Sequence, residues 1–82
     1  MHSAHSAQDE TTPARMVITA AGGYRRLADL LGVSRETPYK WTRPAERGGT
    51  GGRIPTPQLR PVWRLIRQEG WPISAEQLLG VD

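Results

Sequence analysis

Residues 24–43, YRRLADLLGVSRETPYKWTR, decide the fold, because they read as two short helices joined by a turn that forces a sharp bend. Leu27, Leu30 and Leu31 fall at i, i+3 and i+4, one apolar stripe, while Arg25, Arg26 and Asp29 take the polar side. Ala28 lies where only a small side chain lets a second helix approach closely. Gly32 stops the first helix, since glycine enters the left-handed conformation of a C′ residue at no steric cost. Val33 plugs the angle between the helices. Ser34 is expected as N-cap of a second helix running from Arg35 to about Thr42, its hydroxyl accepting from a free amide of the first turn.

The order of leucine, alanine, leucine, glycine, valine, serine and then a tryptophan resembles the helix-turn-helix of bacterial and phage repressors. Over GGYRRLADLLGVSRETPYKW it is most similar to the Cro and YdaS-type relatives of the lambda-repressor fold. Arg53-Ile54-Pro55 and Leu78-Leu79-Gly80 extend the resemblance to roughly residues 14–80, and it is strongest at 22–43. In such families the second helix lies in the major groove and the first spans the adjacent backbone. The resemblance therefore implies that Ser34, Arg35, Glu36, Thr37, Tyr39 and Lys40 face DNA. Pro38 departs from the pattern, standing where relatives carry Val or Ile pointing into the core. A proline there loses the first intrahelical bond and biases Thr37 away from helical angles, so a late or distorted helix start is expected.

Working outward, residues 1–12, MHSAHSAQDETT, have no apolar periodicity and read as a disordered tail. His2 and His5 within it lack a third ligand at a metal spacing, so no metal site is expected. Thr12-Pro13 is an N-cap followed by Pro at the first helical position, leading into a helix over Ala14 to Ala21 with Met16, Val17, Ala20 and Ala21 buried. Gly22-Gly23 ends it with very little linker.

Beyond the motif, residues 44–55, PAERGGTGGRIP, form a Gly-rich loop that Pro44 opens. It lacks the Gly-Lys-Ser/Thr ending of a phosphate-binding loop and follows no strand. Two readings stay open: a flexible connector, or a loop whose glycine amides, Arg47 and Arg53 pack on the DNA backbone. Thr56-Pro57 then reads as cap and first helical residue of a helix ending at about Glu69, regular only from Pro61, with Leu59, Val62, Trp63 and Ile66 on its apolar face. Trp41 and Trp63 read as core. Gly70 is the expected C′ residue, with Trp71 folding back on Ile66. Ser74 to Gln77 form a capping box for a last short helix that Gly80 ends. Three tryptophans so placed do not make a stacking platform for single strands.

Composition sets the limits. At 82 residues the chain is expected to be one all-α domain, a bundle of about five short helices without a sheet, spanning 13–82 after the tail. It has no cysteine, and no apolar run reaches the length of a membrane span, so a cytoplasmic protein is expected. The net charge is +3, but between Arg35 and Arg67 eight basic residues (Arg35, Lys40, Arg43, Arg47, Arg53, Arg60, Arg64, Arg67) face two acidic ones (Glu36, Glu46), a balance of +6. Basic side chains in and after the second helix of the motif are the footprint of phosphate binding.

The expected function is sequence-specific binding of double-stranded DNA by a small transcriptional repressor or regulator of phage or mobile-element type. Phosphate contacts are assigned to Tyr24, Arg25, Ser34, Arg43, Arg47 and Arg53, and base reading to Arg35, Glu36, Thr37, Tyr39 and Lys40. A single domain makes few contacts, so a homodimer on an inverted repeat is expected, with the last helix and Leu78, Leu79 and Val81 as candidate dimer contacts. The alternative is a helix-turn-helix adaptor or antitoxin that works through RNA polymerase or another regulator. No cofactor, membrane partner or catalytic constellation is expected.

Overall fold

A computed structural model describes residues 12–80, so the expected tail lies outside the described residues except for Thr12. Among the described residues five α-helices follow one another: α1 (Pro13–Ala21), α2 (Tyr24–Leu31), α3 (Glu36–Trp41), α4 (Thr56–Glu69) and α5 (Ala75–Leu79). A single 3₁₀ turn, Ala45–Arg47, lies in the Gly-rich loop, and no strand occurs among the described residues. The bundle is all-α, as the apolar spacing predicts.

Each helix boundary has a local chemical cause. The Thr12 side chain accepts from the Arg15 amide at 3.3 Å and Pro13 occupies the first helical position, so α1 starts where the Thr-Pro pair places it. Thr12 thus belongs to the folded domain, one residue earlier than the tail boundary at 12 implied. Gly32 ends α2 at φ 73°, with the Val33 amide donating to the Ala28 carbonyl at 3.0 Å, a bond spanning the whole last turn. The same bond recurs where α4 ends, from the Trp71 amide to the Ile66 carbonyl at 3.1 Å. Ser74 and Gln77 exchange the two bonds of the expected capping box, at 2.9 and 3.1 Å.

The two later starts differ from expectation. Pro55, not Thr56, is the N-cap of α4, and no side chain caps it. Thr56 and Pro57 are its first two helical residues, and the helix runs unbroken through Pro61. α3 begins at Glu36, and Arg35, already helical in its angles, replaces Ser34 as the flanking residue, without a side-chain cap bond. Pro38 supplies the reason. It has no amide to give the Ser34 carbonyl four residues back, so the Thr37 amide takes that acceptor instead, at 3.0 Å, in a tighter turn. Pro38 becomes the third residue of α3, inside the first turn, where a missing amide leaves no intrahelical bond unmade.

The core is built by Ala14, Val17, Ile18 and Ala21 of α1, Leu27 of α2, Trp41 of α3, Val62, Leu65 and Ile66 of α4, and Leu78 of α5. Ile54 and Ile73, from the segments before α4 and α5, complete it. Several faces are rotated from their expected positions. On α1, Met16 and Ala20 are only half-buried while Ala14 and Ile18 are buried. On α2, Leu27 and Ala28 are buried, Leu31 is half-buried and Leu30 is 37% exposed. On α4, Leu65 replaces Leu59 and Trp63, which pack at its margin. α2 touches α1, α3 and α4, so its inward side is set by three neighbours rather than by one seam. Ala28 is the small residue at that crowded side.

A candidate nucleic-acid interface on α3

α3 has six residues, and its two sides differ sharply. Pro38 and Trp41, three apart, are buried, with Pro38 among the most enclosed side chains of the protein and Trp41 2% exposed. The helix packs against α2 and α1, and Trp41 belongs to the core. Arg35, Glu36, Tyr39 and Lys40 are exposed, and by the 3.6-residue period Glu36, Tyr39 and Lys40 share the outward side of the helix, with Arg43 half-buried just beyond its end. Thr37 is half-buried at the boundary between the two sides.

Tyr39 organises the outer surface. Its ring lies 5.6 Å from that of Tyr24, the first residue of α2, with the planes tilted by 48°. The Arg43 guanidinium carbon lies 5.8 Å from the same ring's centroid, a cation over an aromatic face. Tyr24, Arg35, Glu36 and Tyr39 together line an open depression of about 350 Å³. The structure therefore gathers residues that the sequence offered separately, from the start of α2, the turn and α3. Arg25 and Ser34 are exposed beside them.

The Gly-rich loop is neither a free connector nor independent of α3, for it closes the end of that helix. The last carbonyls of a helix have no partner within it. Here Lys40 accepts from the Thr50 amide at 3.3 Å, Trp41 from the Gly52 amide at 2.6 Å, and Arg43 from the Gly51 amide at 2.9 Å. The Thr50 hydroxyl lies 3.0 Å from the Trp41 carbonyl and also within reach of the Arg53 carbonyl; with one proton to give, it serves one of them at a time. Gly52 also accepts from the Ala14 amide at 2.9 Å, so the loop ties the end of α3 to the start of α1. Its close fit demands glycine twice. A Cβ on Gly49 would overlap the Arg43 carbonyl, and one on Gly52, at φ +94°, would come 2.7 Å from Thr12 Cβ. Arg47 and Arg53 are left exposed on this braced loop.

Thr50 and Gly52 are the positioning residues that the sequence reading did not single out. Their signal was the sequence GGTGG itself, in which a lone hydroxyl stands among residues able to bring their amides close to other backbone. Among the described residues no polar side chain is buried, and no three of His, Asp and Glu stand together as a metal would require. No described helix is long and apolar enough to cross a membrane. Comparison with protein-family models, with curated proteins and with solved structures finds no match to this chain.

Proposed function

We propose that this chain binds double-stranded DNA through α3, in the manner of a helix-turn-helix protein, and acts as a small transcriptional regulator, most simply a repressor of phage or mobile-element type. The observation that carries the reading is the division of α3: Pro38 and Trp41 are buried, while Glu36, Tyr39 and Lys40, with Arg35 just before the helix, are exposed. A six-residue helix presenting glutamate, tyrosine and lysine, with Arg35 at its entrance, matches the donor and acceptor code of major-groove base edges. Around it, Tyr24 and Arg25 at the start of α2, Ser34 in the turn, and Arg47 and Arg53 on the braced loop supply groups that suit phosphates. The basic balance of residues 35–67 draws such a surface to a polyanion.

The protein is proposed to work as a homodimer on an inverted repeat, because one such surface covers few base pairs. The contact between copies is sought at the largely apolar groove of about 250 Å³ lined by Leu59, Arg60, Trp63, Ala75, Leu78 and Leu79, where Leu79 is 56% exposed. Val81 lies outside the described residues. The location that goes with this function is the cytoplasm, at the nucleoid when DNA is bound. Selection of bound duplexes from a random library tests the proposal. Enrichment of a palindrome is expected; recovery of unenriched DNA, or of none, would refute it.

A further inference from the structure

We infer that the depression between α2 and α3 is a receptor for the C5-methyl group of a major-groove pyrimidine, with Tyr24 and Tyr39 as its apolar walls and Arg35 and Glu36 reading the neighbouring base edges. This rests on the DNA-binding reading above and deepens it.

Four large hydrophobic side chains are substantially exposed among the described residues, and two of them, Tyr24 at 42% and Tyr39 at 45%, border this depression. The rings are tilted at 48° with centroids 5.6 Å apart, so they form a V rather than a flat stack, and Arg43 over Tyr39 adds a contact to that ring from its own position on the chain. The two rings supply the apolar part of a lining whose remainder is charged, and Glu36 on its wall repels an anion. Arg35 on the same wall offers only donors and Glu36 only acceptors. Along the major groove, guanine shows two acceptors, cytosine a donor, and the one apolar group is the C5-methyl of thymine. Aromatic walls flanked by a donor and an acceptor are complementary to that pattern. Thr37, whose methyl is the other means of touching thymine on this helix, is half-buried. The methyl contact falls to the tyrosines.

The test uses the duplex enriched from a random library by the full chain. Each thymine is replaced in turn by deoxyuridine, which removes the C5-methyl and leaves base pairing intact, and each cytosine by 5-methylcytosine. At one position per half-site the methylated duplex is expected to bind about three- to fivefold more tightly than the unmethylated one, the effect of burying one methyl group. That ratio is expected to fall to about one in Tyr24→Ala and Tyr39→Ala, whose folding is checked by circular dichroism. The ring signals of Tyr24 and Tyr39 in nuclear magnetic resonance spectra are expected to shift on adding the duplex. If the chain binds its enriched site but no methyl substitution matters, or if the ratio persists in both tyrosine variants, the receptor is overturned and the DNA-binding proposal stands. Ring signals that do not move with DNA would likewise overturn it, leaving the depression to a protein segment. If no duplex is enriched, both proposals fall together.

Discussion

The amide of Gly52 donates to the carbonyl of Trp41 at 2.6 Å, joining the Gly-rich loop to the last residue of α3. The carbonyl of the same glycine accepts from Ala14, so a single peptide segment bridges the exit of one helix and the entrance of another. Orientation of the outer side of α3 therefore depends on backbone bonds made eleven residues later in the chain and not only on the turn that precedes it.

Gly52→Ala should be strongly destabilising. The left-handed φ costs a non-glycine residue about 1–2 kcal/mol, and the new Cβ meets Thr12 Cβ at 2.7 Å besides. Gly51→Ala, at φ +67° with open space around it, carries only the first cost. Thermal unfolding should show Gly51→Ala with a moderately lowered Tm and Gly52→Ala clearly below it, each kcal/mol being about 4–8 °C in a domain of this size. Equal losses would mean that the loop yields around Thr12.

Arg47 and Arg53 are exposed while their backbone is held, so replacing both with Ala leaves the loop's hydrogen bonds in place. If both contact phosphates, affinity should fall alike on specific and random duplexes, and the salt slope should drop by about 2. Binding titrations over a range of salt concentration measure this. An unchanged slope would assign the loop to bracing α3 alone.

Arg35→Ala should cost about 1–3 kcal/mol of binding and relax preference at one base pair, as for a bidentate guanine contact. Arg35 is exposed and flanks α3 without a cap bond, so the fold should be untouched. Repeating the duplex selection with the variant measures the change. Equal losses on all sequences would make Arg35 a phosphate ligand instead.

Pro38→Val tests the residue that departs from the helix-turn-helix pattern the sequence resembles. An interior helical proline costs about 3 kcal/mol, but Pro38 lies in the first turn, where its missing amide breaks no bond within α3. The gain in stability should therefore stay below about 1 kcal/mol. Pro38→Ala should lose about 1–2 kcal/mol, since it empties part of a fully buried site. Denaturant unfolding of the two variants decides. A gain near 3 kcal/mol for Val would show that the proline distorts the turn at a real cost to the fold.

Local signals were readable and non-local ones were not. Thr12-Pro13, Gly32, Gly70 and the Ser74–Gln77 box act within one helical turn, so spacing alone placed them. Helix faces were readable only to within about a residue: Leu30 and Ala28 are two positions apart, and which of them is enclosed depends on the three helices around α2. Similarly, Leu65 was missed because the stripe Leu59, Val62, Trp63, Ile66 satisfies the helical period just as well. The outward residues of α3 were legible from the motif, whereas their grouping with Tyr24 required the bend between α2 and α3. The loop's role was hidden because its bonds run from residues 50–52 to residues 40, 41, 43 and 14, and no periodicity records such pairings.

The brevity of α3 has a thermodynamic consequence. Six residues are far too few to hold a helix in water by themselves, since nucleation outweighs the handful of bonds gained. The proposed reading head therefore has no independent existence; it is a property of the closed chain, created when Trp41 is buried and Gly52 docks. A peptide of residues 24–43 should be random coil, and fragments should neither compete for DNA nor interfere with the intact protein. The Gly52 amide, shut between Trp41 and Ala14, should exchange its hydrogen only when the whole domain opens, so its exchange rate gauges the fraction of molecules that have any binding surface at all.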